Sequence, residues 1–144
     1  MIKILSVLLI AGTQPQSLSG FWVAPKHPEL QLGIAEQGKS LKIVTVVSNK
    51  YGKRFYTTFH GKVQRKGKRI SFSVSSKVMA VSKCTVEFTI MGHGQISPGN
   101  PRKFKMRGAL ISYMECDGSK GKMEVDDISD TWLHYVKPKS KIFI

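Results

Sequence analysis

Hydrophobic and polar residues alternate with a period of two along most of the chain, which is the pattern of β-strands with one buried face. In residues 54–63, Phe55, Phe59 and Val63 fall on one face and Tyr56 falls on the other. Similar runs occupy residues 29–36, 41–47, 70–74, 84–90, 106–116, 123–125 and 131–136. No segment has a convincing helical period, so the sequence predicts an all-β protein of about seven to nine short strands.

A single antiparallel barrel, closed or nearly closed, is the expected arrangement of these strands because closure removes exposed sheet edges. A two-sheet β-sandwich is the alternative. Residues 65–68, Arg-Lys-Gly-Lys, are predicted to form the tip of a hairpin between two of the strands. The chain has 144 residues, which is one ordinary domain with no sign of an internal boundary.

The N-terminal residues 1–19 have the pattern of a signal peptide. Lys3 precedes an apolar run over residues 4–12, which is shorter than the roughly 20 residues that span a bilayer. Small residues at Ser17 and Ser19 predict cleavage after Ser19. The sequence therefore predicts an exported protein, periplasmic or secreted, with no transmembrane segment and with one domain over residues 20–144; the alternative is a buried N-terminal strand.

Two cysteines, Cys84 and Cys116, are expected to form a disulfide bond in an oxidising compartment, and two unpaired buried thiols are the alternative. The strands that carry them have a register that agrees with this bond, because pairing the cysteines opposite each other also matches apolar residues across the strands. This register places Val86 opposite Met114, Phe88 opposite Ser112 and Ile90 opposite Leu110.

Charge is the strongest compositional signal. The sequence has 23 Lys and Arg against 9 Asp and Glu, and residues 37–86 contain no acidic residue. A formal net charge of +14 favours an anionic partner, and the 41% of hydrophobic residues argues against a disordered chain.

The candidate binding residues are bases, with an aromatic ring among them, because such a group can cap an acidic sugar or a lipid head group. These residues are Lys50, Lys53, Arg54, Tyr56, Lys62, Arg65, Lys66, Lys68 and Arg69. The last four crowd the predicted hairpin tip and are expected to bind anionic lipid vesicles or a heparin-like polymer in a salt-dependent manner. Nucleic acid is possible but not favoured, and the alternative is a solvated face that aids solubility.

Gly20-Phe21-Trp22 would open the mature chain, and a second tryptophan, Trp132, lies in the last predicted strand. This placement resembles that of the lipocalin-like (calycin) barrels, in which a G-x-W on the first strand closes one end of the barrel. The resemblance implies a ligand cavity or a protein-binding barrel and no catalysis. The predicted function is thus non-catalytic binding of an anionic amphiphile or acidic polymer, with a secreted inhibitor or host-contact protein as the alternative.

Catalytic and metal-binding patterns are weak, and no cofactor or metal is expected. The sequence has no nucleophile elbow and no Walker loop, and its histidines are scattered. His93 is predicted to lie in a loop, and Asp126, Asp127 and Asp130 in a solvated turn. A hydrolase or lyase that uses His60 or His134 in a barrel mouth is the third hypothesis.

Overall fold

Eight antiparallel strands form a closed barrel in the computed structural model, which describes residues 17–79, 83–117 and 121–135. Each strand pairs with its neighbours in sequence, and the first strand pairs with the last. The strands are β1 (Gly20–Ala24), β2 (His27–Gln37), β3 (Ser40–Ser48), β4 (Arg54–Lys66), β5 (Arg69–Met79), β6 (Cys84–Ser97), β7 (Lys103–Cys116) and β8 (Lys122–Tyr135). The predicted barrel is therefore confirmed in preference to the sandwich, and none of the described residues form a helix long and apolar enough to cross a membrane.

The predicted disulfide and the predicted register are both confirmed. Cys84 and Cys116 are bonded and lie opposite each other at one end of the β6–β7 pair. Phe88 lies opposite Ser112, as the alternation of apolar residues requires. Register follows from the sequence here because a slip by one residue would turn every side chain of the strand to the other face.

Three predictions about the later strands are wrong, because β6 and β8 are longer than their apolar patterns. The two short candidates at 123–125 and 131–136 belong to one strand, β8. His93 lies within β6 and not in a loop, and the three aspartates lie within β8 and not in a turn. Unbroken pairing with β7 from Lys122 to Leu133 holds this polar sequence extended, since alternate residues of β8 exchange backbone hydrogen bonds with β7.

The two ends of the barrel are different, and we name them by their contents. The tryptophan end carries Trp22 and the turns 38–39, 67–68 and 98–102, whereas the disulfide end carries Cys84–Cys116 and the turns 25–26 and 49–53. The turn at 67–68 confirms the predicted hairpin tip, and Gly67 occupies it with a φ of 62°, which favours glycine.

The core is concentrated at the tryptophan end. Trp22 is fully buried, and its ring packs edge-on against Phe104, with 6.2 Å between centroids. Its Nε1 donates a hydrogen bond to the carbonyl oxygen of Leu18 at 2.8 Å, so the buried indole has a partner. β1 also pairs with β8 at this end, where Trp22 lies opposite His134. The G-x-W therefore lies on the first strand at one end of the barrel, as expected.

Residues 17–19 are fastened to the tryptophan end. The Glu36 carboxylate accepts a hydrogen bond from the backbone N–H of Leu18 at 2.8 Å, and Arg102 donates to the Ser17 carbonyl at 3.0 Å. Leu18 itself is fully buried in the core. Cleavage after Ser19 would remove these contacts, whereas cleavage before Ser17 would keep them; residues 1–16 of the predicted leader lie outside the described residues.

Candidate functional site

An interior cavity of about 810 Å³ is the main candidate site. Its volume lies within the range of roughly 300 to 1,000 Å³ that is usual for small-molecule sites. Inward-facing apolar side chains from most of the strands line it, among them Leu32, Ile43, Phe59, Ile90 and Met106. These positions follow from the strand alternation, because every second residue of a barrel strand points to the interior.

A polar atom without a partner lies at the wall of this cavity. Trp132 lines the cavity with its side chain 4% exposed, and its Nε1 is the one buried side-chain nitrogen or oxygen in the described part of the chain that has no hydrogen-bond partner. A buried donor without an acceptor costs about 1 to 3 kcal/mol, so such groups are rare in native proteins. The atom has almost no accessible surface, so a ligand oxygen would accept its hydrogen bond only after the side chains that cover it move aside.

A contact between a histidine and a carboxylate lies where β2 and β8 border the cavity. His27 Nε2 lies 3.3 Å from Asp130 Oδ1, and both residues line the cavity. β8 pairs with β1 only at Phe21, Trp22 and Val23, so Asp130 belongs to the part of β8 that extends beyond β1. The cavity therefore has a polar border on this side.

Basic residues lie in the turn that comes directly after a cavity-lining residue at the disulfide end. Val47 of β3 lines the cavity, and the turn 49–53 begins two residues later. The Asn49 side chain orders this turn, because its Oδ1 accepts hydrogen bonds from the N–H groups of Tyr51 and Lys53, both at 2.9 Å. Lys53 Nζ lies 5.6 Å from the ring centre of Phe55. Phe55 is paired with the cavity-lining Val47, so this cation lies at the rim of the cavity.

The nine predicted binding residues do not form one site. Lys50, Lys53 and Arg54 lie at the disulfide end, whereas Lys66 and Lys68 lie at the tryptophan end, together with Arg65 and Arg69. The thirteen-residue strand β4 separates the two groups by about 40 Å along its length. Tyr56 and Lys62 belong to the outer face of β4, as their alternation predicted.

Arg65 is engaged inside the protein. Its Nη2 donates to Glu36 Oε1 at 2.6 Å and its Nε donates to Oε2 at 3.1 Å, and the Glu36 side chain is only 10% exposed. Arg65 of the hairpin is therefore neutralised by a carboxylate that is distant in the sequence. Sequence analysis missed this pair because its two members are 29 positions apart.

The two histidines named in the enzyme hypothesis lie in different parts of the barrel. His60 is exposed on β4, opposite Lys42 and Ser75 on the outer surface. His134 lies at the tryptophan end, with 5.0 Å between its ring centre and that of Trp22. Among the residues that the structure describes, no three His, Cys, Asp or Glu side chains gather in a metal-binding arrangement.

His134 makes folding sensitive to acid. Burial lowers the pKa of His134 and the charge of Arg102 lowers it further, while a hydrogen bond with the Ser19 backbone acts in the opposite direction. The unfolded chain takes up this proton at an ordinary histidine pKa near 6.5, before the folded protein does. Stability from this group is thus present above about pH 6.5 and lost as the pH falls through the folded-state pKa.

We expect the wild type to lose more unfolding free energy than the His134→Gln variant when the pH is lowered from 8 to 5. Urea unfolding followed by tryptophan fluorescence at both pH values measures this difference. The matched control is His60→Gln, which removes an exposed histidine and should keep the wild-type pH dependence. An equal loss in wild type and His134→Gln would contradict the assignment.

Comparisons with known proteins find a structural similarity only. No protein-family model matches the chain, and no curated protein matches it. A structure search finds the crystal structure of the intact apo form of afifavidin, with 17% sequence identity and a TM-score of 0.44, covering 88% of this chain and 87% of that one.

Proposed function

We propose that the protein is a non-catalytic binding protein that holds a small amphiphile inside its barrel. The observation that carries this proposal is the apolar cavity of about 810 Å³ with the unpartnered N–H of Trp132 at its wall. An apolar body would fill the cavity, and burial of its surface would supply roughly 25 cal/mol per Å². Once the side chains that cover the Trp132 nitrogen move aside, an oxygen of the ligand would accept its hydrogen bond.

We further propose that the preferred ligand is anionic. Lys50, Lys53 and Arg54 are exposed around the turn that follows the cavity lining, and no acidic residue lies between positions 37 and 86. A negatively charged head group at this rim would gain from these cations without being drawn into the apolar interior, where an unpaired charge is costly. The carboxylate of Asp130 already has a partner in His27.

The test uses two probes of similar shape, anionic 1-anilinonaphthalene-8-sulfonate and uncharged N-phenyl-1-naphthylamine, each followed by its fluorescence. We expect both to bind the wild type, and we expect Ile90→Trp, which fills the cavity from the inner face of β6, to weaken both by about tenfold or more. The matched control is Met91→Trp, because Met91 is the next residue of the strand and is 49% exposed on the outer surface. Equal binding by Ile90→Trp and the wild type would overturn the proposal.

Two further variants separate the polar contacts. Lys50→Gln with Lys53→Gln should weaken the anionic probe several-fold and leave the uncharged probe unchanged, since only a charged head group is attracted to the rim. Trp132→Phe should weaken a fatty acid with a carboxylate acceptor more than it weakens N-phenyl-1-naphthylamine. If both probes respond equally to the lysine changes, the rim has no preference for anions.

Export remains part of this proposal. The Cys84–Cys116 bond supports it, because disulfides persist mainly in oxidising compartments. The contacts of Ser17 and Leu18 favour a cleavage point before residue 17 over the predicted one after Ser19.

A further inference from the structure

A second feature, separate from the cavity, is a basic surface on the outside of the barrel. Register places Gln64, Ser71, His93, Arg107 and Ser129 in one row across five strands. Residues between this row and the tryptophan end complete the surface. We call the outward bases of this region the basic outer face: Lys66, Arg69, His93, Lys103, Lys105 and Arg107, all exposed.

Acidic residues are absent from this face. In the described part of β4 to β8, every outward position from that row to the tryptophan end is basic, polar or apolar, and none is Asp or Glu. The nearest outward carboxylate is Asp127, one row further toward the disulfide end. Two nearby carboxylates already have basic partners, since Glu36 forms a salt bridge with Arg65 and Asp130 contacts His27.

The cations are spaced to follow an extended anionic chain. Lys103, Lys105 and Arg107 are every second residue of β7, so the Cα atoms of consecutive members are about 7 Å apart. His93 lies opposite Arg107 on the neighbouring strand, at a strand separation of about 5 Å. Arg69 Nη2 lies 3.0 Å from His93 Nδ1. Because arginine only donates, Nδ1 accepts this bond, and the Nε2–H of the neutral ring is the remaining donor.

Shallow grooves flank His93 on both sides, and polar side chains line them between the bases. One groove is bordered by Lys66, Arg69 and Ser71, and the other by Gln95, Lys105 and the Asp130 carboxylate that contacts His27. Hydroxyl and amide groups beside Lys and Arg can donate hydrogen bonds to the oxygen atoms of an anionic chain. Such hydrogen bonds would fix the position of the anionic chain on the surface, in addition to the attraction between charges.

We propose that the basic outer face binds an acidic polysaccharide that carries sulfate or carboxylate groups. Charge complementarity favours an anionic partner, and sugar hydroxyls suit the serine and glutamine side chains between the bases. The outward positions of this face on β4 to β7 hold no aromatic ring on which nucleobases could stack, and stacking is a main contribution to binding of single-stranded nucleic acid. This site goes beyond the proposed function and lies on the other side of the barrel wall from the cavity.

Heparin serves as the sulfated probe and polygalacturonate as the carboxylated probe, with binding to the full chain measured by isothermal titration calorimetry at several salt concentrations. We expect Lys105→Gln with Arg107→Gln to weaken heparin binding about tenfold and to lower the salt slope by about one to two. Lys66→Gln with Arg69→Gln should weaken it similarly, since the face spans β4 to β7. The matched control is Lys77→Gln with Lys122→Gln, which removes the same charge near the disulfide end and should change the affinity less than twofold.

Three results would overturn the proposal. One is an unchanged heparin affinity in both variants of the face, with thermal unfolding showing that they are folded. Another is an equal loss in the control pair, which would mean that net charge alone attracts the polymer. The third is tighter binding of a single-stranded oligothymidylate than of either polysaccharide. The cavity variant Ile90→Trp should bind heparin like the wild type, so failure of the cavity proposal leaves this test unaffected.

Discussion

Trp22→Ala is expected to lower the free energy of unfolding by about 3 to 5 kcal/mol, which is the usual cost of removing a fully buried tryptophan. Trp22 has no solvent-exposed surface, and its ring packs against Phe104 and His134. The change also leaves the Leu18 carbonyl without its donor and removes the ring over which the Arg102 guanidinium lies at 5.5 Å. These losses would remove a large part of the stability of a small domain.

Urea unfolding of the wild type and the variant at pH 7.5 measures the expected loss. Tyr51→Ala is the matched aromatic control, because Tyr51 is 81% exposed and its loss should change stability by less than about 0.5 kcal/mol. Trp22→Phe keeps one six-membered ring but removes the N–H donor and part of the buried ring volume, so its cost should fall between the two. A Trp22→Ala midpoint equal to that of wild type would show that the tryptophan end is not the centre of the core.

Loss of the disulfide bond is expected to cost roughly 3 to 4 kcal/mol on the chain-entropy model. The bond joins Cys84 to Cys116, which are 32 positions apart, and it restricts the unfolded chain over that whole length. The folded β6–β7 pair should keep its register without the bond, because its backbone pairing continues from the cysteines to Ser97 and Lys103.

Two independent routes measure this cost: unfolding of the wild type with and without a reducing agent, and unfolding of the double variant Cys84→Ser and Cys116→Ser. Both should give the same decrease, with unchanged far-ultraviolet circular dichroism below the transition. A midpoint that is insensitive to reduction would contradict a stabilising role for the bond.

Local patterns in the sequence were sufficient to predict the class of fold, the hairpin at residues 65–68 and the register of β6 on β7. Each of these depends on side chains within one strand or on two strands that share a cysteine pair. Trp22 was likewise expected at one end of the barrel, and that expectation rested on the resemblance of its G-x-W to that of lipocalin-like barrels.

The parts that could not be predicted depend on residues far apart in the chain. Polar residues of β8 remain extended because β7 pairs with them, and no local signal in residues 126–130 indicates this. The basic outer face brings Arg69 together with Lys105 and Arg107, which are far away in the sequence. Arg65 adds no free charge to the hairpin because it forms a salt bridge with Glu36. The nine candidate residues are close together in the sequence, but the length of β4 divides them between opposite ends of the barrel.

The sequence by itself determined which residues face inward, because a strand turns alternate side chains to opposite sides whatever its neighbours are. Only the tertiary structure decided how much space those inward side chains leave and which buried group lacks a partner. The volume of a barrel interior is set jointly by all eight strands and their stagger, so the cavity and the unpartnered N–H of Trp132 are properties of the closed sheet and of no single segment.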